Sequence, residues 1–427
     1  MAIVRPLTRA AIIAVGSELL TPLRIDTNSL FVTGQLNALG IDVVMKGVAG
    51  DEREELAHLF RAALARADLV VFTGGLGPTD DDVTREVVAA TLGRQMSEDV
   101  AITERMRARF TARGYKGPMP EINRRQAMVP SGAVVIENSR GSAPGLWLEE
   151  GDAVVLLLPG PPRELRPMLE ALIDGPLKGR AAGAPLIRRV LKIAGRIESQ
   201  TDEVLQPLYR EWEQVTPRIA ATILATLGQI ELHLSARSPS AEMAGAVLDA
   251  AVRQVCAVLG EDVFSTSGAP MEAVVGDLLL SRDYRIALAE SCTGGLVTSR
   301  LTDVPGSSRY VERAVVVYAN EAKVDVLGVP LTLIETHGAV SEPVAIAMAE
   351  GIRERASVDV GVGVTGIAGP GGGTPEKPVG TVAIAAVIGS TTSVRTFRFH
   401  GEREQVKFQA SQAALDMVRR MLLPRVP

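Results

Sequence analysis

Cysteine is nearly absent from this chain of 427 residues, with Cys256 and Cys292 the only two. A disulfide scaffold and any four-cysteine metal site are therefore excluded, and a reducing cytoplasm is the expected compartment. Histidine is also scarce. His58, His233, His337 and His400 form no HExxH pattern and no paired zinc spacing, so a divalent metal would rest mainly on carboxylates. Aromatic residues make up 4%, too few for the stacking platforms that hold single strands. Neither sign of charge dominates: 45 basic and 50 acidic residues leave a net charge of −5. No global field draws the chain onto nucleic acid or an acidic membrane. Long apolar runs are missing too. The stretch Ala10–Val15 leads straight into Glu18, which suits a buried first strand better than a secretory signal. No stretch is expected to reach the roughly 18 residues of a membrane span.

What is present is a folded composition, 46% hydrophobic and 22% charged, on a chain long enough for two or three domains. Short β-branched runs alternate with segments of helical spacing, the pattern of parallel α/β layers. Strands are expected at Ala11–Val15, Asp42–Val48, Leu69–Thr73 and Ala153–Leu158. Helices are expected at Asn28–Leu39, Arg53–Arg66 and Thr84–Leu92, with Asp26-Thr27-Asn28 capping the first. The Gly/Ala/Pro stretch Asp174–Pro185 and the string STSGAP at Ser265–Pro270 read as breaks. The fold class is therefore α/β, with two three-layer domains (1–180 and 268–427) joined by a small α/β module (186–265). The module should contain strands at Leu191–Ile193 and Ile230–Leu234 and helices at Glu198–Trp212 and Ala241–Leu259; it carries no recognisable chemistry.

The densest motif in the front domain runs Thr73-Gly74-Gly75-Leu76-Gly77-Pro78-Thr79-Asp80-Asp81-Asp82-Val83-Thr84, between a strand and a helix. Gly74 and Gly75 would let backbone approach a ligand, and N–H groups at the helix start can hold phosphate. Asp81 and Asp82 beside a phosphate cradle make sense if a hard cation bridges them. A polar turn with Asp82 capping the helix is the alternative. Two further loops end strands of the same sheet: Gly16-Ser17-Glu18 with Asn28 downstream, and Pro159-Gly160-Pro161-Pro162-Arg163-Glu164. Glu18 would be an unremarkable surface acid but for that placement, because open α/β sheets bind ligands at strand C-termini.

The rear domain repeats the theme. Ile286–Ala289 reads as a strand ending in Glu290-Ser291-Cys292-Thr293-Gly294-Gly295, Pro305-Gly306-Ser307-Ser308 precedes a helix, and Ala314–Val317 runs into Tyr318-Ala319-Asn320-Glu321-Ala322-Lys323. If Asn320 caps the next helix, Lys323 lies in its first turn, where the dipole lowers its pKa toward general-base behaviour. Lysine is rare here, seven in the chain, so a lysine at that spot is less expected as a random surface charge. Asp359–Val364 leads into Thr365-Gly366-Ile367-Ala368-Gly369, with further glycines beyond. The formal GxGxxG match of Gly361, Gly363 and Gly366 lacks the following helix that a dinucleotide fold needs.

The three front segments together resemble the domain shared by molybdopterin-binding proteins and the CinA (competence/damage-inducible) family, over roughly residues 8–175. That resemblance implies a metal-dependent ADP-ribose pyrophosphatase yielding AMP and ribose 5-phosphate, with Mg²⁺, Mn²⁺ or Co²⁺ on Asp82, Asp81 and Glu18. Gly74, Gly75 and Asn28 would contact substrate. Pro22, where the family commonly has glycine, favours an alternative in which this domain binds a nucleotide or pterin without turnover. Ala49, where valine is usual, is a milder departure. The rear strings AESCTGG, PGSS, YANEAK, HGAVSE and TGIAGPGGG…KPVGT resemble the CinA C-terminal domain over about residues 270–424. They imply a cofactor-free nicotinamide-mononucleotide amidohydrolase releasing ammonia and nicotinate mononucleotide. The family's site falls on Ser291, Ser308, Tyr318, Lys323 and Thr365. Ser308 is the preferred nucleophile, activated by Lys323 with Tyr318, and Ser291 and Thr365 position the amide. Thr293, Gly294, Gly366 and Gly369 contact substrate. Ser291 or Cys292 (with Glu290 and Lys323) as nucleophile are the alternatives. Small nucleotides are the expected partners, with no nucleic acid and no membrane, and a homodimer is the expected assembly.

Overall fold

Along the strand Arg9–Val15, every residue after the first is buried, which requires cover on both faces. Side chains alternate across a strand, so Ala10 and Ile12 enter one core and Ala11, Ile13 and Val15 the other. The computed structural model describes residues 5–424 except 113, 115 and 116. They form two compact units: the first ends at Ile187 and adds Arg237–Ala244, and the second takes Arg188–Ala236 and the chain from Gly245 onward.

The first unit is built on a six-stranded sheet ordered Asp42–Ala49, Arg9–Val15, Leu69–Thr73, Ala153–Leu158, Gly145–Glu150, Val134–Ile136. The first four strands are parallel and the last two antiparallel. Helices Asn28–Ala38 and Pro162–Leu172 cover one face through Val32, Leu36, Leu165 and Leu169. Arg53–Leu64, Thr84–Thr91 and Val100–Ala112 cover the other through Leu56, Phe60, Val88 and Ile102. The chain leaves Arg9–Val15 toward one neighbour and arrives at Leu69–Thr73 on the other side. A crevice opens where such connections diverge.

In the second unit, the segment read as a small module forms its own four-stranded sheet, ordered Ile219–Thr226, Gln229–Arg237, Leu186–Ile193, Val263–Ser265. Helices Glu198–Trp212 and Ala241–Leu259 stand where expected. One expectation fails here. The helical stretch Ala241–Asp262, with mean hydropathy 1.4, is long and apolar enough by composition to cross a membrane. Its apolarity comes largely from alanine and valine. Leu248, Ala251, Val255 and Leu259 form one buried stripe, and Asp249 pairs with Arg189, the layout of an amphipathic helix on a core.

The remaining sheet is ordered Val311–Val316, Ile286–Glu290, Val360–Gly366, Thr381–Ile388, Thr391–Arg398, three parallel strands followed by two antiparallel ones. Helices Met271–Ser281, Leu296–Thr302 and Arg403–Leu422 contribute to the core on one face. Asn320–Leu327, Leu331–His337 and Glu342–Ala356 contribute to that on the other. The same divergence of connections recurs, here between Ile286–Glu290 and Val360–Gly366.

Candidate functional sites

In the first unit the three strand-end loops meet around a cavity of about 380 Å³. Gly74 and Gly75 have φ of 104° and 66°. A Cβ would lie 2.4 Å from the Val15 carbonyl at Gly74 and 2.1 Å from Thr84 Oγ1 at Gly75, so glycine is required on both counts. Thr84 Oγ1 donates to the Gly74 carbonyl at 3.0 Å. The buried Arg85 guanidinium donates to the carbonyls of Leu76 and Gly77 at 2.6 and 2.9 Å, and that burial pulls its pKa down. Asp82 accepts from the Gly77 and Thr79 N–H groups at 2.7 and 2.9 Å and from Thr79 Oγ1 at 2.6 Å. It therefore closes the loop rather than capping the helix; Val83 is the cap residue.

Asn28, expected at the substrate, donates from Nδ2 to the Gly160 carbonyl at 2.7 Å, bracing the third loop. Its buried Oδ1 has no partner. Capping of its helix falls to Asp26, whose Oδ1 accepts from the Ser29 N–H at 3.0 Å. The cavity also draws in Glu164, the last residue of the third loop motif, and Asp51 and Gln126, to which the sequence assigned no role. Asp51 follows a strand C-terminus as Glu18 does, and accepts from Ser17 Oγ at 2.5 Å. Gln126 carried no sequence signal. Its buried Oε1 is without a partner.

Whether this cavity suits a metal is a question of donors. Among the described residues its lining includes the carboxylates of Glu18, Asp51, Asp81, Asp82 and Glu164 and no lysine or arginine. An all-oxygen, acidic lining is what a hard divalent cation takes, so the residue types fit. They are not gathered, however: among the described residues no three acidic, histidine or cysteine side chains stand together as a ready-made metal site.

In the second unit the buried strand Ile286–Glu290 delivers Ser291 to the sheet's C-terminal edge, and the Ser291 N–H donates to the Val364 carbonyl at 2.9 Å. Lys323 lies in the first turn of Asn320–Leu327, with Ala319 as the cap residue in place of the expected Asn320. The lysine is 2% exposed. Its Nζ is 3.4 Å from Ser291 Oγ and within 3.1 to 3.4 Å of the carbonyl oxygens of Val317, Tyr318 and Ala319. Burial pushes its pKa below the usual lysine value, only partly opposed by Cys292 and Glu321, and the positive helix end works in the same direction. A buried amine whose pKa is lowered, beside a hydroxyl, is a pair that can serve as general base and nucleophile.

The structure therefore joins Lys323 to Ser291, not to the preferred Ser308. Ser308 is exposed on the turn Ser307–Arg309, after Gly306 at φ 86°. The Lys323 amine is turned inward and fully occupied by the partners just named. Tyr318 reaches Lys323 through its carbonyl. Its phenol is 59% exposed and accepts from Arg403 at 2.8 Å, so it does not assist the base directly. Thr365 Oγ1 donates to the Ala339 carbonyl at 2.8 Å. Thr293 is fully buried and its Oγ1 has no partner.

Glu290, also fully buried, is consumed by the next helix. It accepts from the N–H groups of Gly295, Val297 and Thr298 and from Thr298 Oγ1 at 2.6 to 3.2 Å. Cys292 packs in the core, and burial drives its thiol up to about 12. Both observations remove the Cys292–Glu290 alternative, which needs a thiolate. Gly366 is a packing glycine: a Cβ there would lie 2.7 Å from Val382 and 2.9 Å from Cys292 Sγ. Gly294 lies next to Lys407, and Arg403 donates to the Gly369 carbonyl at 2.6 Å; neither basic residue was singled out from the sequence.

Comparison with known proteins follows the same division. Residues 11–179 match the model of a probable molybdopterin binding domain, and residues 268–422 that of the CinA C-terminal domain. A CinA-like protein of Koribacter versatilis is 46% identical over 418 residues, 97% of this chain and all of that one. A putative competence-damage inducible protein of Symbiobacterium thermophilum is 44% identical, over 97% and 99% of the two chains. Among solved structures, the competence/damage inducible protein CihA of Agrobacterium tumefaciens is 37% identical with a TM-score of 0.34, covering 35% of this chain and 94% of its own.

Proposed function

The chain belongs to the CinA family, and on that premise we propose that it is a hydrolase with two sites acting on breakdown products of pyridine nucleotides. The rear site deamidates nicotinamide mononucleotide to nicotinate mononucleotide and ammonia. The front site, with a divalent metal, hydrolyses ADP-ribose to AMP and ribose 5-phosphate. The observation that supports this most is the 3.4 Å approach of the buried Lys323 amine to Ser291 Oγ.

The chemistry at the rear is acyl transfer. Lys323 Nζ takes the Ser291 hydroxyl proton as Oγ attacks the carboxamide carbon, and the resulting ammonium returns that proton to the departing amine as the C–N bond breaks. Water then attacks the Ser291 ester, losing its proton to Lys323; as the acyl C–O bond breaks, the Lys323 ammonium returns that proton to Ser291 Oγ, and nicotinate mononucleotide leaves with the amide oxygen and the water oxygen. At the front, the open backbone of Gly74 and Gly75 admits the diphosphate, and Arg85 and Asp82 hold that loop in shape. Glu18, Asp51, Asp81 and Asp82 are the residues that would hold a divalent cation, which would supply charge neutralisation toward an anionic substrate.

Incubating the whole protein with nicotinamide mononucleotide and following ammonia tests the rear assignment. No ammonia above the level of a Ser291→Ala protein overturns it. For the front site a second reading, nucleotide or pterin binding without turnover, is favoured by the absence of a gathered acidic cluster. Assaying AMP from ADP-ribose with Mg²⁺, Mn²⁺ and Co²⁺ in turn separates the two, and no turnover with any metal selects the second.

A further inference from the structure

The second unit also holds a cavity of about 960 Å³, lined by neither Ser291 nor Lys323. Its walls come from the module's four-stranded sheet, the edge strand Thr391–Arg398 and the C-terminal half of helix Arg403–Leu422. Side chains alternate across a strand, so Arg395 and Phe397 face the cavity together and Phe399 continues the alternation. The Phe397 and Phe399 rings stack with 5.3 Å between centroids and 9° between planes. Met417, Met421 and Ile230 add apolar lining. This lining is left partly open: both phenylalanines are half-buried, and Ile197, which also lines the cavity, is 59% exposed. The charges around it are mostly spoken for. Asp262 pairs with Arg196 at 2.5 Å and with Arg420 at 2.8 Å, and Arg420 also pairs with Asp416 at 2.8 Å. Arg395 and Glu198 stand outside that network. Among the described residues neither has an ionic or hydrogen-bonded partner. The Arg395 guanidinium lies over the Phe397 ring, 4.9 Å from its centroid.

We infer that this cavity is a binding site for a flat aromatic monocarboxylate, with its ring against the Phe397–Phe399 stack and its carboxylate on Arg395. The inference rests on neither proposed reaction. Aromatic faces and thioethers favour a flat ring over an aliphatic chain of equal size. A guanidinium with no partner presents a fork of N–H donors that matches both oxygens of a carboxylate. The volume lies within the about 300–1,000 Å³ of small-molecule sites, roomy enough for a bicyclic ring. Charge sets the ligand class. One spare guanidinium answers one negative charge. A polyphosphate would need Arg196 and Arg420 as well, which Asp262 and Asp416 already hold, and it would meet the unpaired Glu198.

Calorimetric titration of the full-length protein with 2-naphthoate, and with its neutral counterpart 2-naphthamide, tests the site. The acid should bind at one equivalent per chain and about tenfold more tightly than the amide. Arg395→Gln should bring the acid down to the affinity of the amide. Ala225 lines the cavity from the module's edge strand Ile219–Thr226, so Ala225→Trp should fill it and weaken acid and amide alike. Arg395 and Ala225 are both exposed, so neither change disturbs a core. No saturable binding of 2-naphthoate by the wild type overturns the inference. Unchanged binding in Ala225→Trp puts the probe elsewhere and overturns it as well. Acid binding that is unchanged in Arg395→Gln removes the carboxylate contact, and with it the ligand class.

Discussion

The two sites share a topology and oppose each other in electrostatics. Each sits where connections diverge at the C-terminal edge of a largely parallel sheet, and each is framed by a glycine turn. Among the described residues the front cavity includes the five carboxylates of Glu18, Asp51, Asp81, Asp82 and Glu164 and no basic side chain. The rear site holds the Glu290 carboxylate saturated by helix donors and places a desolvated lysine against a serine. The edge of an α/β sheet thus supplies position, and neighbouring burial decides the chemistry. Carboxylates left at the rim give the front cavity an all-oxygen, acidic lining. An amine drawn into the core has its pKa lowered by desolvation.

The sharpest way to break this comparison is to remove the serine–lysine pair. Ser291→Ala or Lys323→Met should cut ammonia release by at least about 10³-fold, while AMP release from ADP-ribose is unchanged. Next comes metal removal. EDTA should take AMP release to background and leave ammonia release intact, and equal loss of both would erase the distinction between the sites. Asp82→Asn, which weakens hydrogen bonds to a charged acceptor worth about 1.5–3 kcal/mol each, should lower front activity about tenfold or more and lower Tm, with no effect behind. The pH profile separates the sites more gently. Lys323 must be neutral to accept a proton, and burial holds its pKa below 10.5. Ammonia release should therefore rise with pH, level off above that lowered pKa, and be lost as pH falls through it; a limb at or above the ordinary lysine value would contradict the burial argument. The smallest effects belong to Ser308→Ala and Cys292→Ala. Both should keep ammonia release, with Cys292→Ala costing about 1–2 kcal/mol of stability in a urea melt. Loss of activity in Ser308→Ala alone would return the nucleophile to that turn.

Much of the scaffold was legible because its signals are local. Leu69–Thr73, Ala153–Leu158 and Glu198–Trp212 begin and end where apolar runs and helical spacing placed them. The antiparallel strands Gly145–Glu150 and Thr391–Arg398 escaped notice. The first mixes Trp147 with two glutamates, and the second is an edge strand with five of its eight residues exposed, so neither shows the apolar run of a buried strand. Pairing with a neighbour, not composition, makes them strands. Within the sites, Glu18, Asp81 and Asp82 were found through loop motifs, whereas Gln126 sits on a turn far along the chain and had no motif to mark it.

The sequence by itself determined that two α/β sheets end in glycine turns with acids in front and hydroxyls plus one rare lysine behind. These follow from residue type and short-range spacing, which torsional preference and hydrophobic periodicity translate directly into backbone. It did not determine which hydroxyl the lysine meets. Ser291 and Ser308 both follow or precede glycines and both lie within thirty-two residues of Lys323. Only the tertiary structure separates them, since parallel pairing of Ile286–Glu290 with Val311–Val316 sets Ser291 near the sheet edge from which Lys323 descends. The desolvation that lowers that lysine's pKa is likewise a property of the packed core, because it requires the low dielectric that no isolated segment creates.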